Sequence, residues 1–155
     1  EGMTVLEPGC GMGFFTLPLA RMVGPQGRVV AVEVQEKMLS VLSRRARKAK
    51  LLGRMDLRHI GKDGLGIKDL SNRVDFTAAI HVVHEVPDQM VFFNEVWEAL
   101  KPGGKLLVIE PKGHISPKEF QQSLSEAKET GFHPEALPKG MDGRKALLVK
   151  EVVRH

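Results

Sequence analysis

Short apolar runs alternate along this chain with longer stretches in which apolar and polar residues are mixed. The apolar runs predict strands near residues 4–7, 28–33, 55–60, 74–80 and 105–110. The mixed stretches predict helices near residues 14–23, 36–52, 89–100 and 117–130. Strands that alternate with helices favour a mostly parallel sheet with helices on both faces, so the expected fold class is doubly wound α/β.

Local turn signals set several of these boundaries. The Gly-Pro-Gln-Gly sequence at 24–27 marks a turn before the second strand. Ser116 and Pro117 suit the start of the last helix, as N-cap and first helical residue, and Gly131 suits its end. The chain contains no repeat, low-complexity tract or linker that would divide it. We therefore expect a single domain over residues 1–155.

The most informative segment joins the first predicted strand to the first predicted helix. Glycines at positions 9, 11 and 13 can adopt positive φ and let a ligand approach the main chain without a Cβ in the way. The helix that follows would direct its N-terminal amides toward that ligand. This segment predicts a site for a nucleotide-like cofactor. Dinucleotide-binding turns follow the spacing G-x-G-x-x-G, but Phe14 occupies the last glycine position, so the spacing here is G-x-G-x-G.

A glycine turn of this form, preceded by the acidic residue Glu7, resembles motif I of the class I S-adenosylmethionine-dependent methyltransferases. The resemblance implies that S-adenosylmethionine is the cofactor. It also implies a Rossmann-like sheet of seven strands, mostly parallel, with an antiparallel last strand. Three further segments occur in the order that this family would have, and together they extend the resemblance over nearly the whole chain.

The second segment is the apolar run at 28–34, in which Glu33 follows the strand. The resemblance implies that this carboxylate binds both ribose hydroxyls, through hydrogen bonds that are strong because the acceptor is charged. In the third segment, at 60–64, it implies that Asp63 binds the adenine amino group. The fourth segment, at 74–110, resembles the family's fourth strand, its next helix, a Leu-Lys-Pro-Gly-Gly turn and the fifth strand. The implied cofactor-binding residues are Glu7, Gly9, Cys10, Gly11, Gly13, Phe15, Glu33, Val34, Asp63, Gly64 and His81.

The end of the chain distinguishes this family from the dehydrogenases. Residues 132–137 make a poor strand, 139–144 have the composition of a loop, and 146–153 form an apolar strand. Two strands joined by such a loop are antiparallel neighbours. The ending resembles that of the methyltransferases, in which the seventh strand is inserted antiparallel between the fifth and sixth. A dehydrogenase sheet would continue in parallel.

The catalytic residues are not defined by the sequence. In-line attack on a sulfonium methyl group requires mainly a nucleophile that is held close, aligned and desolvated. A general base helps when the acceptor is a phenol, hydroxyl or ammonium group, and the candidates are His81, His84 and Glu85 at the exit of the fourth strand. We favour a lining role for His81 and a helix-entry or structural role for His84 and Glu85. No zinc signature accompanies these histidines, so no metal site is expected.

Composition and charge agree with this class of protein. The chain has 155 residues, of which 42% are hydrophobic and 27% charged, which fits one α/β domain with a sizeable core. No apolar run approaches the ~20 residues of a membrane helix. The single cysteine, Cys10, and the lack of a signal peptide favour a cytoplasmic protein. Family members usually carry helices before the first strand, so we expect that an N-terminal segment has been left off.

The net charge of +4 raises the question of a nucleic-acid partner. Much of that charge lies in the basic run at 44–50, which we expect to be a solvated helix face. With no Tyr and one Trp, the chain offers little for base stacking, so nucleic acid is not favoured. The segments at 84–88 and 100–104 resemble the small-molecule and quinone-biosynthesis branch of the family, which implies a small-molecule acceptor. The sequence defines neither that acceptor nor the oligomeric state.

The sequence is also compatible with two other classes of protein. The first is a Rossmann-type NAD-dependent oxidoreductase, which Phe14 and the antiparallel-looking tail disfavour. The second is a non-catalytic module or partner subunit that binds S-adenosylmethionine but transfers nothing. Binding of NAD in place of S-adenosylhomocysteine would indicate the first, and absence of methyl transfer to any acceptor would indicate the second.

Overall fold

A computed structural model describes residues 1–137 and 144–151. The strands in these ranges are β1 (Thr4–Pro8), β2 (Arg28–Glu33), β3 (Met55–His59), β4 (Val74–Ile80), β5 (Leu100–Ile109), β6 (Phe132–Glu135) and β7 (Lys145–Lys150). The α-helices are α1 (Thr16–Val23), α2 (Glu36–Lys48), α3 (Gln89–Ala99) and α4 (Pro117–Thr130). Short 3-10 helices cover Leu52–Arg54, Lys68–Leu70 and Val83–Glu85.

The strands form one sheet in the order β3-β2-β1-β4-β5-β7-β6. The first five strands in this order pair in parallel, and β7 pairs antiparallel with both β5 and β6. The predicted insertion of an antiparallel last strand between the fifth and sixth strands is therefore confirmed. The strand order reverses between β1 and β4, and a reversal of this kind opens a crevice at the carboxyl ends of the strands.

Helices cover both faces of the sheet, as the sequence predicts. Successive strand residues point to opposite faces, and Val5 and Leu6 in β1 illustrate the division. Val5 packs in one cluster with Val29, with buried apolar residues of α1 and with Ala46 of α2. Leu6 packs in another cluster with Val30 and with buried apolar residues of α3 and α4. A third, smaller cluster contains Leu39 and Leu42 of α2. Buried apolar side chains thus cover both faces of the sheet.

Some predicted boundaries are wrong. The first helix begins at Thr16 rather than at residue 14, because Phe14 and Phe15 extend the glycine turn and are 72% and 45% exposed. The second helix ends at Lys48 rather than at residue 52, because Lys50 turns the chain with a φ of +60°. The glycine turn is therefore longer than the periodicity alone indicates.

The Leu-Lys-Pro-Gly-Gly segment is part of β5 and not a separate turn before it. Leu100 pairs with Val74, but the next paired residues are Phe76 and Lys105, so the register shifts within the segment. Gly103 has a φ of +85°, which an L side chain rarely adopts. The glycines thus allow an irregular length of strand between α3, which ends at Ala99, and the regular part of β5.

The poor strand predicted at 132–137 corresponds to the short β6, which contains Pro134. Proline has no N–H to donate, and it is tolerated here because β6 is the edge of the sheet and pairs with β7 alone. The predicted last strand is confirmed in β7. The predicted loop residues 139–143 and the predicted strand end at 152–153 lie outside the described residues.

A buried lysine connects β7 to the end of α3. Lys150 is 5% exposed, and its Nζ donates to the carbonyls of Trp97 and Leu100, both at 2.8 Å, and to Oδ1 of Asn72 at 3.0 Å. The same nitrogen lies 4.0 Å from the centroid of the Trp97 ring. Burial lowers the pKa of Lys150. The ammonium group thus satisfies carbonyls that the end of a helix leaves without partners.

Lys150→Met is expected to lower the free energy of unfolding by about 2 kcal/mol, because buried carbonyls lose their donor. Urea denaturation followed by circular dichroism measures the loss. Lys145→Met, at the partly exposed start of the same strand, is the matched control and should change stability by less than about 0.5 kcal/mol. Equal losses in the two variants would contradict a specific role for Lys150.

Candidate functional site

The glycine turn that follows β1 has the backbone conformation that the sequence predicts. Gly9, Gly11 and Gly13 have φ values of +65°, +56° and +96°. The backbone N–H groups of Gly9 and Cys10 both donate to the carbonyl of Val32, at 2.8 and 3.2 Å. The turn is therefore fixed against the end of β2 and leads directly to the first residues of α1.

The three glycines serve different purposes in this turn. A Cβ on Gly9 would lie 2.6 Å from Cγ2 of Val82, and one on Gly13 would lie 2.3 Å from Cδ1 of Leu42. A Cβ on Gly11 would meet nothing within 4 Å. Gly9 and Gly13 thus permit close packing of the turn, whereas Gly11 faces open space that a ligand can occupy.

Glu7 joins the end of β1 to the start of α1 beneath this turn. It is 3% exposed, and the hydroxyl of Thr16 donates to its carboxyl group. Burial raises the pKa of Glu7 to about 7, although the hydrogen bond from Thr16 acts in the opposite direction. Burial, together with the negative charges of Glu7 and Glu33, raises the pKa of the Cys10 thiol to about 12. The thiol stays protonated at neutral pH and is a poor nucleophile.

Glu33, at the end of β2, binds the chain on two sides. One carboxylate oxygen accepts from the backbone N–H of Gly11 at 2.9 Å, and the other accepts from the N–H of Gln35 at 3.0 Å. The side chain is largely buried, with 8% of the residue exposed. The Glu33 carboxylate thus lies between the glycine turn and the segment that follows β2, and it connects the two.

These segments border a cleft of about 680 Å³ at the carboxyl ends of the parallel strands. Clefts of this size commonly hold small-molecule ligands. Five of the residues predicted to bind the cofactor line it, namely Gly9, Glu33, Val34, Asp63 and Gly64. The structure thus brings the ends of β1, β2 and β3 together around one space, as the resemblance implies.

The remaining predicted cofactor residues do not line this cleft. Glu7 and Cys10 lie beneath the turn, and Gly11 and Gly13 belong to it. Phe15 and His81 are exposed, and His81 has a φ of +57° with its N–H donating to the carbonyl of Ile109 at 2.7 Å. Roles in cofactor binding stay predictions for these six residues and for the five that line the cleft. Lining residues that the sequence analysis missed are Pro8, Val32, Gln35, Ile60, Gly61, Lys62, Leu65, Val82, Val86, Pro87, Asp88, Val91, Phe92 and Glu95.

Side chains outside the motifs hold the loop that follows β3. The N–H of Leu65 donates to a carboxylate oxygen of Glu95 at 2.7 Å. Arg58 donates to both oxygens of Asp69 at 2.8 Å and to the carbonyl of Gly66 at 3.0 Å. The hydrogen bond from Arg58 lowers the pKa of Asp69. Asp63 and Gly64 are therefore presented by a loop that is attached to α3 on one side and to β3 on the other.

Carboxylates outnumber cations around the cleft. Glu33, Asp63 and Glu95 line it from three separate elements, and Glu85 and Asp88 add two more carboxylates. Lys62 is the basic residue in the same lining. A cleft lined by one sign of charge concentrates ligands of the opposite sign. This cleft therefore favours a cationic ligand, although the chain as a whole carries a net charge of +4.

The candidate general bases have a different arrangement from the one that the sequence indicates. Nδ1 of His84 lies 2.6 Å from a carboxylate oxygen of Glu110, the first residue after β5. Glu85 is a more distant partner, with its carboxylate 3.7 Å from Nε2 of His84 and a side chain that is 69% exposed. Sequence analysis missed Glu110. The signal was available, because Glu110 follows an apolar run just as Glu33 follows β2.

The basic run lies on the exposed side of α2. Arg44, Arg45, Arg47 and Lys48 are all exposed, and none of them lines the cleft. Arg45 donates to the carbonyl of Met12 at 3.1 Å, and its guanidinium lies 5.6 Å from the centroid of the Phe14 ring. At least one of these charges therefore supports the glycine turn from outside.

The described residues provide neither a metal site nor a membrane-spanning helix. Within residues 1–137 and 144–151, no group of three or more His, Cys, Asp or Glu side chains is placed to hold a metal ion. None of the helices in the part of the chain that the structure describes has the length and apolar character required to span a membrane.

The fold and the cleft together define a class of protein, an α/β domain with a ligand-sized cleft beside a glycine turn at the carboxyl ends of its parallel strands. The family model described as "Methyltransferase domain" matches residues 1–146. The chain therefore belongs to this methyltransferase domain family. The antiparallel β7 and the G-x-G-x-G turn agree with that membership and oppose a dehydrogenase.

Curated relatives carry a more specific name. The chain is 34% identical over 109 residues to the demethylmenaquinone methyltransferase of Bacillus cereus, a match that covers 70% of this chain and 45% of that protein. It is 28% identical over 110 residues to the enzyme of the same name from a Geobacillus species, covering 71% of this chain and 46% of the relative. The chain thus spans less than half the length of these relatives.

Solved structures agree with the fold. A SAM-dependent methyltransferase from Aquifex aeolicus is similar with a TM-score of 0.79 and 26% identity, over 96% of this chain and 81% of that one. A SAM-dependent O-methyltransferase from Thermotoga maritima gives a TM-score of 0.74 at 23% identity, over 100% of this chain and 62% of that one, which supports the fold alone.

The cleft fits S-adenosylmethionine, the cofactor of this family. The cofactor carries a net positive charge, since its sulfonium and ammonium groups outweigh one carboxylate, and the charged residues that line the cleft are mainly carboxylates. The open space over Gly11 allows close approach to the backbone. Both observations come from the residues of this chain and agree with the family assignment.

Proposed function

We propose that this protein transfers a methyl group from S-adenosylmethionine to a small-molecule acceptor. The observation that carries the proposal is the position of Glu33, whose carboxylate lies between the glycine turn and the entrance to α2 in an acidic cleft. A carboxylate in this position suits a pair of ribose hydroxyls, because each of its oxygens can accept a charge-assisted hydrogen bond. Membership of the methyltransferase domain family supports the same conclusion.

Different residues around the cleft would bind different parts of the cofactor. Glu33 would bind the ribose, and Asp63 would accept from the adenine amino group. Leu65 and Val82 would provide apolar contacts to the adenine ring, since both line the cleft. The backbone at Gly11 would bind the amino-acid part. Bound S-adenosylmethionine would supply an electrophilic methyl group on a neutral leaving group, so the protein's main tasks are alignment and exclusion of water.

The acceptor that we propose is a small molecule with an aromatic hydroxyl group. The relatives from Bacillus and Geobacillus are named for demethylmenaquinone. Reduction of a quinone gives an aromatic diol, which carries such hydroxyls. We extend this chemistry to the present chain as a class and not as a named substrate. We further propose that residues 1–155 fold as one domain, that the protein is cytoplasmic, and that nucleic acid is not its substrate.

Glu33→Ala is expected to weaken S-adenosylhomocysteine binding by about 2 kcal/mol, or roughly 30-fold, because hydrogen bonds to a charged acceptor are lost. Titration calorimetry measures the change. Glu36→Ala, an exposed carboxylate in the first turn of α2 that does not line the cleft, is the matched control and should bind within about twofold of the unmutated protein. Unchanged affinity in Glu33→Ala would contradict the ribose assignment.

Transfer itself is tested with S-adenosylmethionine that carries a radiolabelled methyl group. The purified protein is incubated with a short-chain naphthoquinol, a catechol and a primary amine, and the label in each acceptor is counted. Label in the hydroxyl acceptors supports the proposal. Tight binding of S-adenosylhomocysteine without label in any acceptor would favour the non-catalytic binding module instead.

A further inference from the structure

The contact between His84 and Glu110 lies beside the cleft, at the carboxyl ends of β4 and β5. Glu110 is 5% exposed, and one of its carboxylate oxygens lies 2.6 Å from Nδ1 of His84. The backbone N–H groups of Val83 and His84 also donate to this carboxylate, both at 3.2 Å. Three groups from one short segment therefore converge on a single buried carboxylate.

This arrangement leaves the other nitrogen of the imidazole, Nε2, without a bond to Glu110. Because a carboxylate accepts, Nδ1 carries the proton and Nε2 keeps a lone pair in the neutral ring. The side chain of His84 is 19% exposed; His84 does not itself line the cleft, but Val82 and Glu85 of the same segment do. Glu110 thus fixes His84 next to the cleft, with Nε2 outside hydrogen-bond distance of the Glu85 carboxylate.

The surroundings of His84 contain few charges. Glu110 faces Nδ1, the exposed carboxylate of Glu85 lies 3.7 Å from Nε2, and the ring of His114 stacks nearly parallel at 6.4 Å between centroids. These three titratable groups contact or face the ring within the described ranges. Glu110 thus holds one nitrogen of the ring, and the other nitrogen faces the exposed side chain of Glu85.

We propose that His84 is the general base of the methyl transfer and that Glu110 is the residue that positions it. This proposal rests on the proposed function, and it specifies the acceptor as one that must lose a hydroxyl proton, a phenol or quinol. His84 touches that hydroxyl through Nε2. Glu110 acts through His84, by fixing the ring orientation and the tautomer.

The proposed step is balanced without a further reagent. The hydroxyl proton of the acceptor passes to Nε2 of His84, and the electron pair left on the acceptor forms the new bond to the methyl carbon. The bond between that carbon and sulfur breaks, and its electron pair stays on sulfur. If the new bond is to a ring carbon, that carbon then loses its proton and the acceptor oxygen takes a proton back, which restores the aromatic hydroxyl. One net proton is released to solvent per turnover.

A purely structural role for the pair makes a different prediction. The carboxylate of Glu110 accepts from the first N–H groups of the 3-10 helix Val83–Glu85, so it stabilises that helix whatever His84 does. In that case replacement of His84 would change stability but not the pH dependence of the rate. It would also not allow an added base to restore activity.

The test uses the purified protein with a short-chain naphthoquinol as acceptor and compares His84→Gln, His84→Ala, Glu110→Gln and the unmutated protein. We expect His84→Gln to lower kcat/KM on the order of 100-fold, with S-adenosylhomocysteine affinity within about twofold. The rise of kcat/KM with pH should disappear in this variant, and added imidazole should restore part of the activity of His84→Ala. Exposed His133 on β6, replaced by Gln, is the matched control and should be active.

Glu110→Gln tests whether Glu110 positions the His84 ring or only stabilises the 3-10 helix Val83–Glu85. We expect an activity loss with a shifted pH profile, and nitrogen NMR of the histidine rings should show that the Nδ1–H tautomer of His84 is lost. A His84→Gln protein that keeps its rate, or its pH profile, would overturn the base assignment while the proposed function stands. An unmutated protein that methylates amines but no hydroxyl acceptor would overturn the base and the hydroxyl acceptor together.

Discussion

Gly13→Ala is expected to lower the free energy of unfolding by about 3 kcal/mol and the Tm by roughly 10 °C. Two costs add at this position. The φ of +96° is unfavourable for any L side chain, and the new Cβ would lie 2.3 Å from Cδ1 of Leu42, which is fully buried and cannot move into solvent. Thermal denaturation followed by circular dichroism measures the effect.

Gly11→Ala is the matched control for that experiment. Its φ of +56° imposes a similar backbone cost of about 1–2 kcal/mol, but its Cβ meets nothing within 4 Å. We expect Gly11→Ala to be the more stable of the two variants and to bind S-adenosylhomocysteine more weakly than the unmutated protein, because the Cβ enters the space of the ligand. Equal Tm losses in both variants would contradict the packing role of Gly13.

The free energy of unfolding of the unmutated protein is expected to fall by up to about 3 kcal/mol as the pH rises, because Glu7 ionises. Glu7→Gln is expected to remove this fall. Burial raises the pKa of Glu7 from 4.5 to about 7 in the folded protein. The folded state therefore holds this proton more tightly than the unfolded state does. The contribution of this proton to the free energy of unfolding is fully present below pH 4.5, decreases as the pH rises from 4.5 to 7, and is lost above pH 7. A shift of this size corresponds to roughly 1.4 kcal/mol for each pKa unit.

The measurement is urea denaturation of the unmutated protein and Glu7→Gln at several pH values between 4.5 and 8. The difference in free energy of unfolding between the two should change by about 3 kcal/mol across this range, with Gln favoured at the higher pH. Exposed Glu36, replaced by Gln, provides the control, and its difference should stay nearly constant. A constant difference for Glu7→Gln as well would show that Glu7 titrates normally in the folded protein.

The sequence predicted the features that depend on local patterns. Glu33 could be found because a carboxylate after an apolar run is a local signal, and the structure places it against the glycine turn. The antiparallel position of β7 could be predicted from a short loop between two strands and from the resemblance. Strand positions were predicted well because burial on both faces makes continuous apolar runs.

Features that depend on distant parts of the chain were missed. Glu95 lies in α3, 30 residues after Leu65, whose N–H it accepts, and no spacing rule connects the two. The partner of His84 was sought among its sequence neighbours, but it is Glu110, 26 residues away on the adjacent strand. Parallel strands bring their carboxyl ends together only through the order of the sheet, so such pairs emerge only when that order is known.

The start of α1 was predicted too early for a related reason. Phe14 and Phe15 are apolar and continue the helical spacing, yet both are exposed. Apolar periodicity identifies residues that are suited to burial, but it does not reveal that three glycines with positive φ keep the chain in a turn until Thr16. The exposed aromatic residues thus belong to the cofactor turn rather than to the core.

The central claim, that the cleft binds S-adenosylmethionine, is tested most directly by titration calorimetry of the protein with S-adenosylhomocysteine, with NAD as the comparison ligand. The account predicts micromolar binding of S-adenosylhomocysteine that is weakened by Glu33→Ala, and no binding of NAD. Binding of NAD without S-adenosylhomocysteine, or of neither ligand at millimolar concentration, would contradict it.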